Sequence, residues 1–160
     1  MFRGKFDTTI DAKGRTSIPA KFREVLVETF GDERFFLTKS SPVRLGEGQV
    51  CYGLTIYPYR EFLALEERLK NGAGLGLSVE ALAAVRRTIL VPAVECTADK
   101  LGRVLVPNDL RKTAQLEREI HFVGMQNKID IYSQGVWAQV CAKDEQNFPV
   151  DSAALAELGL

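Results

Sequence analysis

Two short basic segments of the chain carry the residue types best suited to contact an anion. The first is Asp11-Ala12-Lys13-Gly14-Arg15, and the second, 88 residues later, is Asp99-Lys100-Leu101-Gly102-Arg103. The planar fork of arginine matches phosphate oxygens and the guanine edge, whereas lysine acts as a point charge. Because Asp, Gly and Arg recur at the same spacing, both segments are expected to serve one function.

Each segment is also typical of a hairpin turn, and we call residues 11–15 the first tip and residues 99–103 the second tip. The aspartate can accept hydrogen bonds from its own turn, and the glycine can adopt a positive φ without a Cβ clash. We assign turn shaping to Asp11, Gly14, Asp99 and Gly102. For the aspartates we favour a bracing ion pair with the arginine over a nucleic-acid contact, because a carboxylate repels phosphate.

The spacing of apolar residues places both tips within a repeated order of elements. In each copy, a strand, a tip and a return strand precede a helix that opens on Pro19 or Pro107. Two more strands and a helix follow, and residues 54–57 correspond to residues 129–132 at an offset of 75 rather than 88. We therefore predict an α+β fold built by internal duplication.

The 160 residues are 46% hydrophobic, which suffices for a packed core. We predict a first unit with its following helix at residues 1–76 and a second unit with flanking helices at residues 77–143. The two units are expected to pair into one pseudo-symmetric body, because each is too short to bury its own sheet. Residues 144–160 are predicted to form a tail that is either a loose helix or disordered.

Charge is distributed unevenly along a chain whose formal net charge is zero. Residues 1–23 hold six basic and two acidic side chains, whereas residues 142–160 hold one basic and four acidic side chains. Zero net charge argues against non-specific coating of nucleic acid but allows a local basic surface. The sequence shows no signal peptide and no membrane-spanning run, so we expect a cytoplasmic protein without a membrane partner.

The sequence offers no candidate catalytic site. The glycine-rich run at residues 72–76 follows a predicted helix and lacks the Lys-Ser/Thr of a P-loop, so we interpret it as a flexible break. His121, the single histidine, lies in an apolar strand with no serine or cysteine placed as a nucleophile. The acidic residues and cysteines show no metal-ligand spacing. We therefore expect no enzyme activity, no cofactor, no metal and no small-molecule substrate.

Several segments together resemble the MraZ family of the SpoVT-AbrB DNA-binding superfamily. They are residues 1–4 (Met-Phe-Arg-Gly), both tips, residues 18–23 (Ile-Pro-Ala-Lys-Phe-Arg) and residues 124–132 (Gly-Met-Gln-Asn-Lys-Ile-Asp-Ile-Tyr). The resemblance implies two AbrB-like swapped-hairpin units that form one β-barrel with flanking helices. It also implies a transcriptional regulator that is associated with the nucleoid and assembles into a homo-oligomeric ring. Such a ring is expected to bind double-stranded DNA at tandem operator repeats. Such regulators repress their own division and cell-wall gene cluster.

Five basic residues are predicted to contact DNA. They are Arg3, Lys13, Arg15, Lys100 and Arg103. The two tip arginines are expected to reach guanine edges or phosphates, and the other three residues to contact phosphates. The second tip departs from the first, because Lys100-Leu101 replaces the order Ala12-Lys13. We therefore expect most of the binding energy to come from the first tip.

Alternatives to this interpretation stay open. A ring-forming protein-protein assembly module of the same fold, for which DNA binding is secondary, fits the zero net charge and the acidic tail. An antitoxin-like protein that binds a toxin through its tail is less favoured, because the tail is short and poor in apolar residues. Arg23 and Arg111 follow their prolines by one helical turn and are either phosphate contacts or solvated or subunit-interface residues.

Overall fold

A computed structural model describes residues 1–72 and 75–160 of the chain and has the predicted α+β fold. The strands are β1 (Lys5–Thr9), β2 (Arg15–Ser17), β3 (Phe35–Lys39), β4 (Val43–Gly46), β5 (Gln49–Cys51), β6 (Leu54–Pro58), β7 (Val94–Cys96), β8 (Arg103–Leu105), β9 (Glu119–Gly124) and β10 (Ile129–Ser133). The helices are α1 (Ala20–Glu28), α2 (Tyr59–Lys70), α3 (Val79–Val85), α4 (Asn108–Thr113), α5 (Gln134–Asn147) and α6 (Ala154–Glu157), with a π-helical turn, Arg86–Leu90, after α3. The predicted break at residues 72–76 includes residues 73 and 74, which lie outside the described residues.

The two copies of the repeated unit exchange their first strands. Six strands form an antiparallel sheet in the order β1-β9-β10-β6-β3-β7, and β2 pairs with β8 in a separate two-stranded ribbon. The first strand of the first copy, β1, therefore pairs with β9 of the second copy, and β7 pairs in return with β3. Neither copy completes its own sheet, so the two fold as one body.

Strand register shows how closely the two copies correspond. In the large sheet, Thr55 of β6 lies opposite Asp130 of β10, and these are equivalent positions at the offset of 75. In the β2–β8 ribbon, Thr16 lies opposite Val104, which are equivalent at the offset of 88. Because each central pair joins a residue to its own equivalent, a pseudo-two-fold axis passes through both pairs. The central strand pairs therefore follow the same two offsets as the repeated sequence.

Alternating apolar residues on the inner face of the sheet build the main core. The central strands contribute Phe35, Leu37, Leu54, Ile56, Ile120, Phe122, Ile129 and Ile131, all with essentially no exposed surface. The β2–β8 ribbon and helices α1 and α4 cover this face, through buried side chains such as Val104, Phe22 and Leu110. Pro19 and Pro107 immediately precede α1 and α4, because a proline lacks the N–H that a helix start leaves unpaired.

Helices α2 and α5 cover the outer face of the same sheet with equivalent aromatic clusters. Phe62 of α2 stacks on Phe36, with 4.3 Å between ring centroids, and contacts Tyr57. Trp137 of α5 packs in the same way against His121 and Tyr132. Serine caps start α3 and α5, since Ser78 and Ser133 accept hydrogen bonds from the backbone of their own first turns.

Two segments differ from the sequence prediction. Residues 40–53, to which the sequence analysis assigns no element, contain the β4–β5 hairpin, whose Val43 and Cys51 pack with Val136 and Val140 of α5. Helix α5 continues to Asn147, past the predicted start of the tail, and α6 lies within that tail. None of the helices in the described ranges is long and apolar enough to cross a membrane.

Candidate nucleic-acid interface

The first tip is a tight turn organised by Asp11. The Asp11 carbonyl accepts a hydrogen bond from the Gly14 amide at 3.0 Å, and the Asp11 amide donates to the Arg15 carbonyl at 2.9 Å. Its Oδ1 accepts from the amides of Lys13 and Arg15, both at 2.9 Å. Its Oδ2 accepts from Nε of Arg15 at 2.8 Å. One carboxylate therefore closes the turn and orients the arginine.

The second tip repeats this geometry bond for bond. Oδ1 of Asp99 accepts from the amides of Leu101 and Arg103 at 2.9 Å, and Oδ2 accepts from Nε of Arg103 at 3.0 Å. Gly102 closes the turn by donating to the Asp99 carbonyl at 2.9 Å. In both turns, the aspartate accepts the hydrogen bonds that close the turn, and the glycine donates one of them.

Hydrogen bonding lowers the pKa of both tip carboxyls. The amide of Arg15, and then its side chain, lower the pKa of Asp11 to about 2. The amide of Arg103 likewise holds the pKa of Asp99 below its usual range. The Asp11 and Asp99 side chains are 43% and 46% exposed, so solvent screens both ion pairs and their main effect is on the orientation of the arginines. Both carboxylates are therefore ionised at neutral pH and can accept these hydrogen bonds from the arginines.

The β2–β8 ribbon places both tip arginines on one exposed face. Opposite residues of an antiparallel pair share a face, so Arg15 lies beside Leu105 and Ser17 beside Arg103. Thr16 and Val104 point the other way into the core. The two arginines are diagonal neighbours, and the Cα atoms of such neighbours lie about 7–8 Å apart in a regular ribbon. Their side chains are 44% and 41% exposed.

Each tip arginine keeps part of its donor fork available. Arg15 uses Nε for Asp11, and Arg103 uses Nε for Asp99. Within residues 1–72 and 75–160, neither Nη atom of either guanidinium has a hydrogen-bond partner. Two parallel donors on one guanidinium match the guanine O6/N7 pair or two phosphate oxygens. The ribbon can therefore present two oriented forks to a duplex.

The glycine of each tip binds the opposite copy through its backbone. The Gly14 carbonyl accepts a hydrogen bond from the Val106 amide at 2.8 Å, and the Gly102 carbonyl accepts from the Ile18 amide at 2.9 Å. Both glycines have positive φ, +88° and +78°. A Cβ added to Gly14 would lie 2.8 Å from the Val106 carbonyl oxygen. The tips are therefore fixed by contacts between the copies as well as by their own turns.

Two arginines whose role the sequence left open brace the tips. Arg111 of α4 donates from Nη1 to the Ala12 carbonyl of the first tip at 2.9 Å and from Nε to the Leu116 carbonyl at 3.2 Å. Arg23 of α1 donates to the Ile18 carbonyl at 3.2 Å and packs against Gly102 of the second tip. Arg111 follows Arg23 by the same 88 residues that separate the tips. The shared offset identifies the two arginines as equivalent residues, but the contact that each makes with a tip is visible only in the structure.

The other three predicted contact residues lie in different places. Lys13 and Lys100 are exposed and precede Arg15 and Arg103 by two and three residues in the first and second tips. Arg3 is exposed at the opposite end of β1, whose five residues separate it from the first tip by more than about 13 Å of strand. The structure therefore groups four of the five predicted residues and leaves Arg3 apart.

The single histidine takes part in a hydrogen-bonded polar cluster on the outer face of the sheet. His121 Nδ1 lies 2.8 Å from Oδ1 of Asp7, and Lys5 pairs with the same carboxylate. Lys5 first, and His121 second, lower the pKa of Asp7. No group of three or more potential metal ligands occurs in the part of the chain that the structure describes. This cluster joins β1 to β9 and so supports the strand exchange.

Comparison with known proteins assigns the chain to one family. A family model described as "MraZ protein, putative antitoxin-like" matches residues 1–41 and 89–157. The chain is 86% identical to "Transcriptional regulator MraZ" of Geobacter sp. (strain M21), with 100% of both chains covered. The regulator of the same name from Geotalea uraniireducens (strain Rf4) is 71% identical, again over 100% of both chains. The one from Caldanaerobacter subterraneus subsp. tengcongensis is 37% identical over 92% of each chain. The chain therefore belongs to the MraZ family of transcriptional regulators, which are not enzymes.

Proposed function

We propose that the chain is a sequence-specific DNA-binding repressor that reads its operator with the β2–β8 ribbon. The observation that carries this proposal is the position of Arg15 and Arg103 on one exposed face, each oriented by an aspartate. The two units, residues 1–76 and 77–143, close into a pseudo-symmetric β-barrel of the SpoVT-AbrB type. The barrel supports the ribbon from behind and keeps the spacing of the arginines constant.

The ribbon enters the major groove, which is wide enough for two antiparallel strands. Arg15 and Arg103 donate from their Nη atoms to guanine edges, and the diagonal Cα spacing of about 7–8 Å in a regular ribbon is close to two base-pair steps of about 3.4 Å. Lys13 and Lys100 contact phosphates on either side of the groove. Arg3 contacts a phosphate farther along the duplex. Asp11 and Asp99 orient the arginines and touch no DNA, because their charge repels phosphate.

Several copies of the chain assemble into a ring and bind tandem operator boxes upstream of the division and cell-wall genes that they repress. One ribbon makes few contacts, and its affinity for a single box is modest. A ring holds the remaining ribbons near the next boxes at a high effective concentration, so binding to repeats becomes strong and cooperative. Such a regulator resides on the nucleoid.

The proposal is tested by native mass measurement and gel-shift assays on the DNA upstream of the gene for this chain. The parent protein is expected to run as a multimer and to shift this fragment in several cooperative steps. Arg15→Ala is expected to lower the affinity for this fragment by a factor of about 5–150, because a bidentate arginine–guanine pair contributes about 1–3 kcal/mol. Arg68→Ala is the matched control, because Arg68 is exposed on α2 at the far face of the sheet.

A folded Arg15→Ala protein that binds the upstream fragment as tightly as the parent would overturn the proposal. A multimer that binds DNA weakly and with little dependence on salt would instead favour the assembly module, for which DNA binding is secondary. Circular dichroism of each variant establishes that a lost shift reflects a lost contact and not unfolding.

A further inference from the structure

Leu105 is an exposed apolar side chain in the middle of a basic surface. It lies directly opposite Arg15 in the β2–β8 ribbon and shares the exposed face with Arg15, Ser17 and Arg103. Its side chain is 60% exposed although the neighbouring Val104 and Val106 are buried. The leucine is therefore held by strand pairing at the surface that the proposed function directs toward DNA.

The chemistry of the major groove limits what an exposed leucine can contact there. Base edges in this groove present hydrogen-bond donors and acceptors, which a leucine cannot satisfy. The C5 methyl group of thymine is the apolar group on these edges, and apolar side chains are its usual protein contact. A leucine placed against any other base edge would desolvate a polar atom without replacing its hydrogen bond.

We infer that Leu105 determines specificity by contacting a thymine methyl group adjacent to the guanine bound by Arg15. This inference rests on the proposed DNA-binding function and adds a second base to its readout. Arg15 and Leu105 form a direct cross-strand pair, so the guanine and the thymine lie at neighbouring base pairs. The pair recognises a two-base combination that neither residue recognises alone.

The two halves of the exposed ribbon face are related by pseudo-symmetry, but they carry different side chains at one equivalent position. Ser17 occupies the position equivalent to Leu105 and lies opposite Arg103. A serine hydroxyl can donate to or accept from any base edge, so it does not select thymine. One chain therefore reads an asymmetric sequence, with a thymine methyl required beside the first arginine and not at the same place beside the second.

The test compares two versions of the upstream DNA fragment, one amplified with thymine and one with uracil, which lacks only the methyl group. For the parent protein, uracil is expected to weaken binding at least about fourfold, which corresponds to about 0.8 kcal/mol for one buried methyl group. Leu105→Ala is expected to bind both fragments equally, with an affinity close to that of the parent on uracil DNA. Leu63→Ala, at an exposed leucine on α2, is the control and should keep the parental ratio.

The inference would be overturned if the parent and Leu105→Ala had the same ratio of affinities for the thymine and uracil fragments, because the methyl effect would then arise from DNA shape. A ratio of affinities near one for the parent would also overturn it. These outcomes differ from failure of the proposed function, in which the parent binds neither fragment.

Discussion

Replacing Gly14 with alanine tests whether contact between the two copies fixes the first tip. Gly14 has φ +88°, and an added Cβ would lie 2.8 Å from the backbone oxygen of Val106. The Gly14 carbonyl also accepts a hydrogen bond from the Val106 amide at 2.8 Å. The two backbone segments cannot separate to make room for the methyl group without stretching that bond.

The size of the effect follows from two contributions. A left-handed backbone at a residue with a Cβ costs about 1–2 kcal/mol. Overpacking against a fixed neighbour costs about 1–3 kcal/mol more. Gly14→Ala is therefore expected to lower the free energy of unfolding by about 2–5 kcal/mol. Gly31→Ala is the matched control, because Gly31 has φ +68° with nothing within 4 Å of an added Cβ. It should lose only the first contribution, about 1–2 kcal/mol.

Urea denaturation of both variants, followed by tryptophan fluorescence, measures the difference. The single tryptophan, Trp137, packs on the large sheet and reports unfolding of the shared body. Gly14→Ala should also lose affinity for the upstream DNA, whereas Gly31→Ala should keep it. Equal destabilisation by the two substitutions would refute the reasoning, since the contact with Val106 would then contribute nothing.

Three further perturbations have defined outcomes. Arg111→Leu removes the hydrogen bond to the Ala12 carbonyl, so the first tip loses a brace and DNA affinity should fall severalfold while the fold persists by circular dichroism. Burial raises the pKa of Asp130, so its stabilising contribution is complete below pH 3.8 and is lost as pH rises through the raised pKa. The free energy of unfolding, measured by urea denaturation, should therefore fall less for Asp130→Asn than for the parent as pH rises from about 4 to about 7. Ser133→Ala removes the cap of α5 and should cost about 1 kcal/mol in the same assay.

Local chemistry was sufficient to predict the tips. An Asp-x-x-Gly-Arg segment specifies its own turn, because the hydrogen bonds between its aspartate, glycine and arginine join residues within four positions of each other. The starts of the helices at Pro19 and Ser133 were predictable for the same reason. The duplication was visible because the repeated residues are those that the turns require.

Contacts between the two copies could not be predicted from local sequence patterns. The exchange of β1 and β7 was expected only through the family resemblance, because alternation of apolar residues identifies a strand but not its partner. The bracing roles of Arg23 and Arg111 depend on the same exchange, which carries each tip to the helix of the other copy. The β4–β5 hairpin was missed because its strands are short and are stabilised by packing on α5.

The most direct test of the account is the salt dependence of affinity for the upstream fragment and for a scrambled fragment of equal length. The parent is expected to show a steep negative slope of log affinity against log salt on both fragments, with tighter binding to the upstream one. Lys13→Ala should weaken binding to both fragments equally and reduce the steepness of the slope of log affinity against log salt by about one per bound tip. Arg15→Ala should lose the preference for the upstream fragment. A parental slope near zero, or an Arg15→Ala protein that keeps its full preference, would contradict the claim that the β2–β8 ribbon reads DNA.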